Sequence, residues 1–138
     1  MNEKGKFNTV SERKILLVDD NPDLLQILQI ILKGHGYQTV TAGGVDEAVA
    51  KIRIHNPCLM LLDVCLADQD GREFCQMLKL NPETEHIRVI LMSGLDESLG
   101  LKDNIYGDDF MQKPFDYNDL ISRVEVQFSA RETDYADI

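Results

Sequence analysis

The sequence predicts a three-layer α/β fold, a doubly wound sheet of five parallel strands with helices on both faces. Two patterns carry that prediction. From Lys14 onward, short apolar runs alternate with amphipathic helical stretches at regular intervals, as strand-helix-strand crossovers require. Three of the runs, KILLV (14–18), CLMLL (58–62) and RVILM (88–92), are continuously apolar instead of alternating, as strands covered on both faces must be. YQTVT (37–41) and a weaker DFMQ (109–112) complete the five.

The helices between them carry their own punctuation. Asn21 offers an N-cap and Pro22 a first position for a helix running to Lys33, where Gly34-His35-Gly36 stops it. Val45 to Ile54 forms a second helix that ends before Asn56-Pro57, because the residue preceding a proline is pushed out of the helical region. Arg72 to Leu80 gives a third. Asp116 to Phe128 gives the last, with Tyr117, Leu120, Ile121, Val124 and Phe128 on one stripe. The segment GLDESLGLKDNIYG, between Ser93 and Asp108, has Gly100 in its middle and irregular apolar spacing, and predicts only a short or partly unwound helix. Residues 1–13 read as a flexible polar extension, 14–129 as one domain and 130–138 as a solvated tail.

With 138 residues and 43% hydrophobic content, the chain can bury one core. No run approaches the roughly 20 apolar residues of a membrane span, and the N-terminus lacks the apolar segment of a signal peptide, so a cytoplasmic protein is expected. A formal charge of −10 argues against direct contact with a nucleic-acid backbone. Cys58, Cys65 and Cys75 make an odd count, for which reduced thiols are expected, and no C-x-x-C or paired-histidine spacing calls for zinc. His35, His55 and His86 stand apart in turn-like contexts and read as surface residues. Cys58, Cys75, Met60, Met77, Met92 and Met111 read as core filling.

In an open parallel sheet, ligands bind at the carboxyl ends of the strands. Here the first strand ends in Asp19-Asp20, the third in Asp63, the fourth in Ser93 and the fifth in Lys113 followed by Pro114. Taken alone, each is an ordinary turn or capping residue. Together they place three acids, a hydroxyl and a lysine on one edge, where the carboxylates repel unless a cation offsets them. Few oxygen ligands with room for water and phosphate describe a Mg²⁺ site (or Mn²⁺) better than a Ca²⁺ cage. A carboxylate kept ionised there is a nucleophile toward phosphorus.

The motifs VDDNP, LLDVCLADQDG, ILMSG and DDFMQKPF, in that order and over roughly Lys14 to Ser129, resemble the receiver domain of two-component response regulators. The resemblance implies a flavodoxin-like, CheY-like sheet of order 2-1-3-4-5 flanked by five helices. It implies that Asp63 takes a phosphoryl group from a phosphohistidine on a sensor histidine kinase or phosphotransfer protein. Asp20 would bind Mg²⁺ directly, Asp19 mainly through water, and the backbone carbonyl of Cys65 would complete the protein ligands. Lys113 would pair with the phosphoryl oxygens, its bond to Pro114 cis, and Ser93 and Phe110 would form the switch, the aromatic ring turning inward as the hydroxyl moves. The protein would pass the signal to a downstream effector protein or domain and would not be a turnover enzyme.

Ala67 stands where many relatives have proline. Cys65 and Leu95 occupy the positions that tune hydrolysis of the phosphoryl group, and neither orients water well, so slow autodephosphorylation is expected. Phe110 lacks the hydroxyl a tyrosine would bring, and the Ser93 to Lys113 span is about two residues shorter than is usual in this family, as the resemblance implies. Independently of any resemblance, PDLLQILQIILK confines its polar residues Gln26, Gln29 and Lys33 to a narrow stripe, leaving more apolar surface than one sheet contact covers. That surface reads either as packing against neighbouring helices or as a docking face, and the family's first helix meets the kinase helix pair. The rivals are a haloacid-dehalogenase-like phosphatase, which wants a second acid where Cys65 stands, and an FMN binder, which wants a phosphate loop after the first strand. A third is an interaction module of the same fold that works without phosphorylation.

Overall fold

The structure, a computed structural model, describes the backbone of residues 13–94 and 106–136, with side chains described to residue 129. Among these residues the chain forms β1 (Lys14–Val18), α1 (Pro22–Gly34), β2 (Gln38–Ala42), α2 (Val45–His55), β3 (Leu59–Asp63), α3 (Gly71–Lys79), β4 (Arg88–Ser93), β5 (Asp109–Gln112) and α4 (Tyr117–Ala136). The five strands are parallel in the order β2-β1-β3-β4-β5, as the sequence predicts. The poor helix expected between Ser93 and Asp108 lies largely outside the described residues.

The apolar runs divide their side chains between two cores. Leu16 and Val18 of β1, Met60 and Leu62 of β3, and Val89 and Leu91 of β4 pack with Val45, Ala48, Phe74, Cys75 and Leu78 of α2 and α3. Their neighbours Ile15, Leu17, Leu59, Leu61 and Ile90 pack on the opposite face with Leu28 and Leu32 of α1 and Leu120, Val124 and Phe128 of α4. Since successive side chains alternate faces, a strand with helices on both sides has no position left for a polar residue. The edge strands are less buried: β2 runs from exposed Gln38 through three half-buried residues to buried Ala42, while β5 buries only Phe110 and Met111.

The local signals hold where they rest on backbone chemistry. Asn21 accepts hydrogen bonds from the amides of Asp23 and Leu24, and Pro22 begins α1. Asn56, in the left-handed conformation at φ 47°, closes α2 before Pro57. Two side chains depart from expectation, and two more settle an open one. Met77 is 57% exposed, because α3 buries Phe74, Cys75 and Leu78 and position 77 falls off that stripe. Tyr117 is 48% exposed and packs its ring 5.7 Å from that of His35 instead of joining the α4 stripe. Ile27 and Ile30 of α1 are 53% and 66% exposed, so the apolar excess of this helix is real surface. The last helix also runs to Ala136, well past Phe128, since no glycine or proline follows to break it.

The cysteines are free thiols, Cys58 and Cys75 buried and Cys65 exposed, with burial pushing the Cys75 thiol up to about 11. Titration of the native protein with a thiol-reactive chromophore at mildly alkaline pH is therefore expected to modify one cysteine quickly, in the peptide containing Cys65, and the other two only on unfolding. Rapid modification of all three would contradict this packing.

Candidate functional site

Strand register assembles the site. Val18 lies opposite Leu62, so the next residues, Asp19 and Asp63, emerge side by side at the carboxyl edge. Asp63 pairs with Met92 in β4, and Ser93 pairs with Gln112 in β5, which brings Ser93 and Lys113 to the same edge. The amide of Lys113 donates to the carbonyl of Ser93 at 2.7 Å, extending that ladder one step beyond β5. The peptide bond from Lys113 to Pro114 is cis, as the resemblance implies.

The residues singled out in the sequence converge. Asp19 and Asp63 are 1% and 4% exposed, whereas Asp20 faces solvent. One carboxylate oxygen from each of the three lies within 4.8 Å of the others. The ammonium of Lys113 sits between the two buried acids, 2.7 Å from Asp19 Oδ2 and 3.4 Å from Asp63 Oδ1. Backbone amides complete the shell: Asn21 N–H donates to Asp19 Oδ1 at 3.0 Å and Cys65 N–H to Asp63 Oδ1 at 3.3 Å.

The electrostatics follow from this crowding. Burial first, and then the charge of Asp19, push the Asp63 carboxyl above its ordinary range, with Lys113 and the Cys65 amide pulling the other way. Burial disfavours the Lys113 charge, but its hydrogen bond to Asp19 and the nearby Asp63 more than offset that, and its affinity for a proton is raised. With three carboxylates and one ammonium, the pocket is thus two positive charges short of neutrality.

That donor set fits a small hard cation. All candidate ligands are oxygens, and two oxygens on opposite sides of one Mg²⁺ stand about 4.2 Å apart, twice a metal–oxygen distance of about 2.1 Å. The spread of 4.8 Å is close to what such an ion requires.

Ser93 is 1% exposed at the end of β4. Phe110 is already turned inward, 1% exposed among Val89, Leu91 and Phe74. Its carbonyl accepts from Arg123 of α4 at 3.0 Å, and the same guanidinium pairs with Asp109 at 2.7 Å. Leu95 lies outside the described residues. On the α1 side of the pocket, a groove of about 540 Å³ runs between Leu24, Ile27 and Ile31 and the loop Lys113-Pro114-Phe115. Lys113 therefore belongs to both the acid pocket and the wall of this groove.

Sequence reasoning missed Gly71. A Cβ there would stand 2.1 Å from the carbonyl oxygen of Asp63 and 3.0 Å from the Val64 Cα, so only glycine lets α3 start against the backbone of the buried acid. The amide of Gly71 donates to the Val64 carbonyl at 2.8 Å across this contact. The visible signal was the dipeptide Asp70-Gly71, of which Asp70 is the α3 N-cap, bonded to the Arg72 amide.

A profile of the response regulator receiver domain matches residues 15–125. The DNA-binding response regulator MtrA of Mycolicibacterium smegmatis is 31% identical over 127 residues, 91% of this chain and 55% of its own length. The alkaline phosphatase synthesis transcriptional regulatory protein PhoP of Bacillus subtilis is 34% identical over 117 residues, 82% of this chain and 47% of its own. This chain thus spans about half the length of such curated relatives. Among solved structures, a CheY-like receiver domain protein from Methanospirillum hungatei superposes with a TM-score of 0.78 at 28% identity, covering 90% of this chain and 99% of that one. The signal receiver domain of a histidine kinase from Syntrophus aciditrophicus gives 0.78 at 33%, covering 85% and 90%. The chain belongs to the response regulator receiver domain family of two-component systems.

Gly71→Ala is expected to lower stability by about 1–3 kcal/mol, the usual result of forcing a methyl group into packed backbone. Urea denaturation checks it; an unchanged midpoint would show that the contact relaxes freely.

Proposed function

We propose that this receiver is a working phosphoacceptor switch, modified on Asp63 by a phosphohistidine donor in a Mg²⁺-dependent reaction. The observation that carries the reading is the buried Asp63 carboxylate beside Asp19, Asp20 and the Lys113 ammonium. Oδ1 of Asp63 is held by Cys65 N–H and Lys113, leaving Oδ2 to attack phosphorus. The new O–P bond forms as the P–N bond to the donor imidazole breaks, its electron pair remaining on the ring nitrogen. Lys113 then turns from Asp19 toward the phosphoryl oxygens, and the Ser93 hydroxyl donates to one of them.

Asp20, Asp63 and the carbonyl of Cys65 would hold the cation, with Asp19, whose two oxygens already accept from Lys113 and Asn21, acting through water. When bound, Mg²⁺ neutralises charge on the transferring oxygens. Because Phe110 is already inward, its ring is expected to respond by repacking within the core. The unit comprises residues 14–129, with 1–13 and 130–138 outside it.

The groove between α1 and the Lys113-Pro114-Phe115 loop shares Lys113 with the acid pocket, which supports docking of a sensor histidine kinase or histidine phosphotransfer protein there. Any contact with DNA belongs to a separate effector, since a charge of −10 opposes a phosphate backbone. Among the described residues no helix is long and apolar enough to cross a membrane, consistent with work in the cytoplasm. An interaction module that works without phosphorylation is the second reading, favoured only by the inward Phe110.

Incubation with acetyl phosphate and Mg²⁺ is expected to add one phosphoryl group to the intact mass. Chelator or Asp63→Asn should abolish the gain. No adduct, under conditions that modify a known receiver, would favour the second reading.

The adduct should also be long-lived. Cys65 exposes a thiol at the pocket mouth, a weak partner for an attacking water. Decay over minutes or longer after donor removal is expected; decay within seconds would refute slow autodephosphorylation.

A further inference from the structure

The loop from Val64 to Asp70 presents Cys65 to the pocket, yet it contains no proline to restrict its backbone. At one end it is fixed by Val64 N–H donating to the Met92 carbonyl at 2.9 Å and by the Gly71 to Val64 bond. A short antiparallel bridge joins Cys65 to Asp70. Its middle is held differently. The carboxylate of Asp68 accepts from the amide of Val45, at 3.0 Å to one oxygen and 3.3 Å to the other, across 23 residues of sequence.

Val45 is the first residue of α2, whose N-cap, Gly44, has no side chain to satisfy the helix's free amides. Asp68 does so from another loop. Gly44 also leaves room for it, since a Cβ at that position would stand 3.0 Å from Asp68 Oδ2. The turn carrying Gly44 is itself fastened to the acid pair, because Asp19 N–H donates to the carbonyl of Ala42 at 3.1 Å. A chain of contacts therefore runs from Asp19 through the turn after β2 to Asp68 and into the Cys65 loop. It joins the two halves of the acid pocket on the side away from Lys113, which joins them ionically on the other.

We propose that Asp68 is a positioning residue: its bond to the head of α2 sets the Cys65 loop, and with it the Cys65 carbonyl and amide, at the distance from Asp19-Asp20 that a divalent cation and the Asp63 carboxylate require. The proposal rests on the Mg²⁺ site described above. It assigns Asp68 no contact with substrate or metal; the residue acts through the backbone it holds. Its charge alone would also attract a cation, so the tether and the charge have to be separated. Asparagine does this, since its side-chain oxygen accepts from the Val45 amide and carries no charge.

The test uses the whole chain as wild type, Asp68→Ala and Asp68→Asn. Mg²⁺ binding is followed by calorimetry without phosphodonor, and amide hydrogen exchange is read residue by residue. Asp68→Ala is expected to weaken Mg²⁺ binding by about tenfold, the lower end of what loss of an outer-shell support costs a metal site. It should also speed exchange at Val45 and through Cys65 to Gly71. Asp68→Asn should restore both to near wild type. Equal weakening in the two variants with the loop still protected would assign the effect to charge and overturn the proposal, as would an alanine variant indistinguishable from wild type. If the wild type itself binds no Mg²⁺, the metal reading of the site fails. The exchange comparison then decides the role of Asp68 alone: faster loop exchange restored by asparagine supports it, and no difference overturns it.

Discussion

One ammonium group placed between two buried carboxylates is the constraint on which the rest of this molecule turns. Asp19 and Asp63 are almost wholly out of water, and two like charges so placed raise each other's energy unless a cation intervenes. Lys113 intervenes from 94 positions beyond Asp19 in the chain. Holding its nitrogen 2.7 Å from one acid and 3.4 Å from the other demands that β1, β3 and β5, with β4 between the last two, keep their register. The continuously apolar β1, β3 and β4 do that, because each is clamped between two layers of helices. The hydrophobic core is thus the rigid frame that keeps an unfavourable cluster of charge assembled.

The arrangement is deliberately incomplete. A lysine balances one of the three acids, and further positive charge would stabilise the pocket. Such a deficit sets the buried Asp63 apart from an ordinary surface acid, since burial and the neighbouring Asp19 push its carboxyl above the usual range.

What the sequence made legible and what it hid divide along a physical line. Properties set by near neighbours could be read: the burial of β1, β3 and β4 from unbroken apolar runs, the Asn21-Pro22 cap, and the acids at strand ends, whose meeting follows once the sheet is parallel. Properties set by contacts distant in sequence could not. Nothing in LADQDG announces that Asp68 reaches the head of α2, or that Gly71 touches the backbone of Asp63. Residue type alone misplaced Met77, which is apolar but faces away from the stripe that α3 buries. The end of α4 was misplaced because the apolar stripe read from the sequence ends at Phe128 while helix propensity continues to Ala136.

Lys113 has a second neighbour besides the acids, for with Pro114 and Phe115 it forms a wall of the groove along α1. A side chain shared by two sites makes them thermodynamically reciprocal. Any protein seated in the groove that distinguishes one placement of Lys113 from another alters the free energy of events at Asp63, and those events alter its affinity by the same factor. The donor of a modification and the reader of that modification would then be bound by one law: whichever prefers the altered lysine drives the alteration forward, and whichever prefers the original lets go once it is made.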